Sequence, residues 1–127
     1  MVSKLLHTRY RVSDLEKTVH FYKDVLGLEE TQRSKSPRGS ELVFFKAPGS
    51  EEEIEICKFD ESGPVNVGFD ITHLAFEVDD LDAEISRLKS KGVKFAMEAM
   101  DTPVCRFAIL PDPDGNQVMI HKRKPGH

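Results

Sequence analysis

Tryptophan is absent from this 127-residue chain and tyrosine occurs only twice, which leaves no aromatic platform of the kind that stacks single-stranded bases. Two cysteines, Cys57 and Cys105, are too few for a disulfide framework and too far apart in sequence for a CxxC motif. No apolar run approaches the roughly 18 residues that a membrane-spanning helix needs, so no membrane partner is expected. The opening MVSKLLHTRYRV lacks the apolar core of a secretory leader, and a cytoplasmic location is the expectation. Basic residues number 18 against 22 acidic ones and form no stripe, so no nucleic-acid groove is expected either. What remains is an ordinary globular balance of 39% apolar and 31% charged residues at about the length of one domain. Such a chain is suited to a compact domain that handles a small molecule.

The most informative feature is an internal repeat, which is sought before other patterns. HTRYRVSDLEKTV from His7 lies over HLAFEVDDLDAEI from His73, pairing His7 with His73, Val12 with Val78, Asp14 with Asp80 and Leu15 with Leu81. Further along, Gly27 falls on Gly92, and IEICK at 54–58 falls on VMIHK at 118–122. The chain therefore reads as one domain, 1–127, built of two modules at 4–60 and 70–124 joined by the turn-rich DESGPVNVG. Each module opens with an alternating run, Leu6 to Val12 or Ile71 to Val78, that predicts a half-buried strand. Capping boxes follow at Ser13 with Glu16 and at Asp79 with Asp82. The first helix places Leu15, Val19, Tyr22 and Leu26 on one face, and the second does so with Leu81, Ile85 and Leu88. Gly27 and Gly92 stop the helices. Strands are predicted at Glu29–Arg33, Glu41–Lys46 and Glu53–Phe59, then at Lys94–Ala99, Arg106–Pro111 and Gln117–Lys122, the last two joined by the DPDG turn at 112–115. The expected fold class is α+β: two βαβββ modules pairing around a cavity.

Polar residues inside apolar strands mark the candidate site. His7 stands in the first strand and Glu55 in the fourth, and their repeat partners are His73 and Met119. Two equivalent histidines and a carboxylate flanked by isoleucines form a ligand set for a divalent ion, with imidazole and carboxylate suiting Zn, Ni, Fe, Co or Mn. A histidine opening a strand also suits a plain hydrogen-bonded edge position, and a repeat preserves packing as well as chemistry. Two residues further on, Cys57 and its partner His121 form a second pair, for which a small buried strand residue is the competing reading. Cys105 receives no role. Lys35 and Arg38, in the polar loop RSKSPRGSE, read as solvated charges.

These residues carry a resemblance to the vicinal oxygen chelate superfamily, whose fold is paired βαβββ modules around a metal site. Within it, HTRYRVSDLEKTVHFYKDVLGLEE and the closing DPDGNQVMI are most similar to the glyoxalase I (lactoylglutathione lyase) family. The resemblance implies a metal-dependent lyase or isomerase acting on the hemithioacetal of glutathione and a 2-oxoaldehyde. It implies His7, Glu55 and His73 as metal ligands, with the fourth ligand position departing to Met119, a soft thioether that accepts protons poorly. With Met119 there, two readings stand: Glu55, the repeat-related carboxylate, acts as base, or His7, Glu55 and His73 form a three-ligand set with positions open for water or a chelating substrate. The resemblance also implies that Arg11 grips a glutathione carboxylate, although Phe59 stands where the family commonly carries Asn. A homodimer is expected, with His7 and Glu55 facing His73 of a second copy or of the same chain. The alternatives are a non-catalytic small-molecule binding protein of the bleomycin-resistance type, and a metal-dependent oxygenase or thiol transferase.

Overall fold

The computed structural model describes residues 1–127 and divides into two compact units, Met1–Asn66 and Val67–His127. The first runs β1 (His7–Arg11), α1 (Leu15–Val19) continued by a π-helical turn (His20–Val25), β2 (Glu29–Lys35), β3 (Glu41–Lys46) and β4 (Glu53–Lys58). The second runs β5 (His73–Glu77), α2 (Leu81–Ser90), β6 (Met97–Asp101), β7 (Cys105–Pro111) and β8 (Gln117–Arg123). Each unit is a βαβββ module, so the α+β class read from the repeat holds. The sheets have the spatial orders β1-β4-β3-β2 and β5-β8-β7-β6. In both, the opening strand lies parallel to the closing one, whereas the other neighbours are antiparallel.

The helix starts differ from expectation by one residue. Asp14, not Ser13, caps α1, its Oδ1 accepting the Lys17 amide at 3.0 Å. Asp80 does the same for α2 through the Ala83 amide at 3.1 Å. Both aspartates are extended, at φ −132° and −136°, so the next residues, Leu15 and Leu81, turn directly into the core. The first helix also departs from a uniform 3.6 period. Leu26 N–H donates to the carbonyl of Phe21, five residues back, at 2.9 Å. This wider turn inserts a residue, so Val25 and Leu28 are buried at 9% and 7% exposure while Leu26 is only half-buried. Gly27 and Gly92 end the helices with φ of 85° and 86°, a conformation that side chains with a Cβ resist.

The core of the first unit lies between helix and sheet, where Tyr22, Val43, Phe45 and Ile56 are fully buried. In the second unit Leu88, Ala108, Leu110 and Val118 play that part. The sixth strand differs from its predicted span of Lys94–Ala99. β6 begins at Met97, is exposed throughout, and slips register against β7 between Met97 and Met100, as edge strands with bulges do. The DPDG turn forms as expected. The buried Asp112 accepts the amides of Asp114 and Asn116 on Oδ1 and the Asn116 side chain on Oδ2, at 3.0, 2.8 and 3.0 Å. No helix is long and apolar enough to cross a membrane.

Candidate functional site

Strand alternation decides which side chains meet in the first unit. The Phe45 ring packs with its centroid 6.0 Å from that of Tyr22 on the helix. Phe45 pairs with Ile54, and Ile56 pairs with Val43 and Tyr10, so these residues share the helix side. The neighbours in each strand therefore share the opposite face: His7, Arg9 and Arg11 from β1, Phe44 from β3, and Glu55 and Cys57 from β4. Because β4 lies between β1 and β3, Glu55 has a partner on each side, Arg9 in one register and Phe44 in the other.

His7 and Glu55 are brought together there. His7 Nε2 lies 3.4 Å from Glu55 Oε2, and the imidazole packs edge-on against Phe44 with centroids 5.6 Å apart. Two ligands on a tetrahedral ion, with bonds of about 2.1 Å, stand about 3.4 Å apart, so this pair has the spacing of a metal-binding half-site. The carboxylate is only 2% exposed, against 41% for the His7 side chain. Its other oxygen, Oε1, accepts a hydrogen bond from Arg9 Nε. Arg9 is not among the residues singled out from the sequence. A signal for it exists there, since HTRYR alternates and sets Arg9 two residues beyond His7 on the same face.

Arg11 makes main-chain contacts as well. Its Nη1 donates to the carbonyls of Phe59 and Gly63 at 3.4 and 2.6 Å, and its Nη2 donates to that of Pro64 at 3.0 Å. Three of its five N–H donors are thus engaged by the main chain, and Nε–H and the second Nη2–H remain. Cys57 is buried at 4% exposure in register with Arg11 and Leu42. Cys105, also buried, has Sγ 3.2 Å from Thr102 Oγ1.

The repeat-equivalent positions lie in the second unit. His73 Nδ1 is 2.8 Å from the Ile71 carbonyl. A carbonyl only accepts, so Nδ1 carries a proton in this contact and Nε2 is the ring nitrogen that could face a metal, the orientation metal-bound histidines use. Met119 lies in register between Ala75 and Ile109, an apolar counterpart of Arg9–Glu55–Phe44. His121 pairs with Glu77 and Phe107. Arg123, hydrogen-bonded to Glu77, holds that carboxyl below the usual range. His7–Glu55 and His73 belong to different units, and no group of three or more His, Cys, Asp or Glu side chains gathers within the chain.

A family model described as the Glyoxalase/Bleomycin resistance protein/Dioxygenase superfamily matches residues 4–120. The chain belongs to this superfamily. Among its relatives, this glyoxalase-superfamily chain is 32% identical over 128 residues to a lactoylglutathione lyase of Neisseria meningitidis serogroup A, covering 97% of this chain and 93% of the relative. A lactoylglutathione lyase structure from Agrobacterium tumefaciens superposes with a TM-score of 0.70 at 26% identity, covering 95% of this chain and 94% of the other. TnmS3, an antibiotic binding protein from Streptomyces sp. CB03234, superposes with a TM-score of 0.81 at 24% identity, covering 97% and 98%. That last likeness concerns the fold alone. The relatives' names place the chain's function within the glyoxalase family.

Proposed function

We propose that the chain is a glyoxalase I-like lyase acting in the cytoplasm on the hemithioacetal of glutathione and a 2-oxoaldehyde. The observation that supports this reading best is the approach of His7 Nε2 to Glu55 Oε2 at 3.4 Å, on a face shared with Arg9 and Phe44. His7, Glu55 and His73 are the residues that would hold a divalent ion, and the chemistry of this donor set suits nickel, zinc, iron, cobalt or manganese. A bound ion would supply positive charge to the substrate's two oxygens as negative charge develops on them.

The chain's own residues supply the rest. Glu55 takes the proton from the sulfur-bearing carbon and returns it to the carbon beside it, the transfer expected of a positioned general base. Burial keeps water away from that carboxylate, and Arg9 on Oε1 leaves Oε2 turned toward His7. Arg11 serves substrate binding by holding Phe59 to Pro64 beside the face, with Nε–H and the second Nη2–H left for a direct contact. Met119 contributes shape and no proton transfer.

A second reading, binding of a small molecule without chemistry, is favoured by Met119 and by the cation already resting on Glu55. Turnover of the hemithioacetal of glutathione and methylglyoxal, with nickel or zinc added, separates the two readings. Wild type is expected to turn over, and His7→Ala to lose at least about 100-fold, the usual worth of a lost catalytic group. Turnover by Met119→Glu but not by wild type would replace the lyase reading with the binding one.

A further inference from the structure

The contact that the family likeness leaves unexplained is the guanidinium of Arg9 on Glu55. A carboxylate that is 2% exposed is costly to keep charged unless a cation compensates it. His7 is a weak candidate for that cation, since its Nε2 stands 3.4 Å away, beyond the spacing of a strong charged hydrogen bond. Arg11 is occupied by three backbone carbonyls. Arg9 lies directly alongside, in register on the parallel neighbour strand, with its Nε bonded to Oε1.

The internal repeat supplies a control within the same chain. The position equivalent to Glu55 is Met119, and the one equivalent to Arg9 is Ala75; these two are in register just as their counterparts are. The cation is present where the carboxylate is, and it is missing where the carboxylate is missing. The same comparison keeps a histidine in both places, His7 and His73, so what changes between the units is the charge pair and not the whole face.

We infer that Arg9 is the resident counter-cation of Glu55, and that it holds the divalent-ion affinity of the His7–Glu55 pair well below what those two ligands would otherwise reach. The physical reason is competition for one negative charge. An ion arriving at Oε2 and His7 Nε2 meets a carboxylate already neutralised, with a fixed positive charge bound to its other oxygen. The Arg9 side chain is 56% exposed, so solvent moderates the repulsion between those like charges, and the competition acts chiefly through the buried carboxylate that they share.

Two measurements test this. In the first, zinc and nickel are titrated calorimetrically into wild type, Arg9→Met, Arg9→Lys and Arg9→Met/His7→Ala. Arg9→Met is expected to bind at least about tenfold more tightly, Arg9→Lys to stay near wild type, and the double variant to lose the gain. Equal or weaker binding by Arg9→Met would overturn the inference, because it would make Arg9 a mere support for the orientation of Glu55. The second measurement needs no metal and does not depend on the lyase reading. Arg9→Ala is expected to melt below wild type, and adding Glu55→Met, which copies Ala75 and Met119, to restore most of the loss. A double variant that melts lower still would overturn the counter-cation role. The metal titration rests on reading His7 and Glu55 as a donor pair, and turnover by wild type would keep that reading standing even if Arg9 failed both tests.

Discussion

At the residue scale, two arginines two positions apart on one strand face have different employments, and hydrogen-bond partners decide which. Arg11 donates to three carbonyls of the segment that follows β4, whereas Arg9 meets a buried charge. Residue type and spacing singled out Arg11, and alternation alone would have set Arg9 on the same face, but they carried no information on which acceptors the returning chain would offer. Asp112 is the opposite case, since its role is local and the DPDG pattern announces it. Its buried carboxylate, 5% exposed, accepts from two amides and one side-chain amide within four residues. Asp112→Ala is expected to cost roughly 2 to 3 kcal/mol, as hydrogen bonds to a charged group do. Urea unfolding measures it, and a change below a few tenths would show that the turn holds without its carboxylate.

At the scale of elements, ion pairs fasten helices to sheets from equivalent helix positions, through different strands of the two modules. Arg33 of β2 donates to Glu16 of α1 at 2.7 Å, and Arg106 of β7 donates to Asp82 of α2 at 2.7 Å. Arg33 also bonds Glu30, and this hydrogen bond, only partly opposed by burial, holds the Glu30 carboxyl below its ordinary value of about 4.5. A carboxyl held low stabilises the fold above that ordinary value, and the contribution is lost as pH falls through the lower folded value. Arg33→Ala is therefore expected to be less stable than wild type at about pH 7, by under about 1 kcal/mol for such partly exposed pairs. The gap should narrow toward about pH 3, where the carboxyl is increasingly protonated in both proteins. A gap constant with pH, in urea melts at the two values, would show that Arg33 acts through packing alone. The strands were legible in the sequence because alternation is a local signal. The π-helical turn was not, because it depends on how Val25 and Leu28 are drawn to the core and leaves no mark in residue spacing. The bulged edge strand β6, exposed throughout, had no buried face to fix its limits.

At the scale of the whole molecule, the expectation of a homodimer gives a prediction that separates two ways of completing the site. Mixing inactive His7→Ala with inactive His73→Ala, under conditions of subunit exchange, is expected to restore about a quarter of wild-type turnover. That fraction follows if half the dimers are mixed and each site takes His7 from one chain and His73 from the other, so that one of the two sites in a mixed dimer keeps both histidines intact. No restoration would mean that both histidines come from one chain. Sedimentation of the same samples reports whether dimers exist at all.

The sequence by itself determined the two-module plan, the α+β class, the helix-stopping glycines and the placing of His7 and Glu55 as equivalents of His73 and Met119. All of these follow from short-range periodicity, turn chemistry and self-similarity, which are written in neighbouring residues. Only the tertiary structure decided that Arg9 compensates Glu55, that Arg11 is tied to the main chain, and that the wide helical turn buries Val25 in place of Leu26. The two arginine outcomes depend on strand register and on how a buried charge or an unpaired carbonyl is satisfied by residues some fifty positions away, whereas the helical turn depends on packing against the core. Local pattern limits the candidates for such partners, and the energetic demand to pair buried charge and main-chain polar groups selects among them.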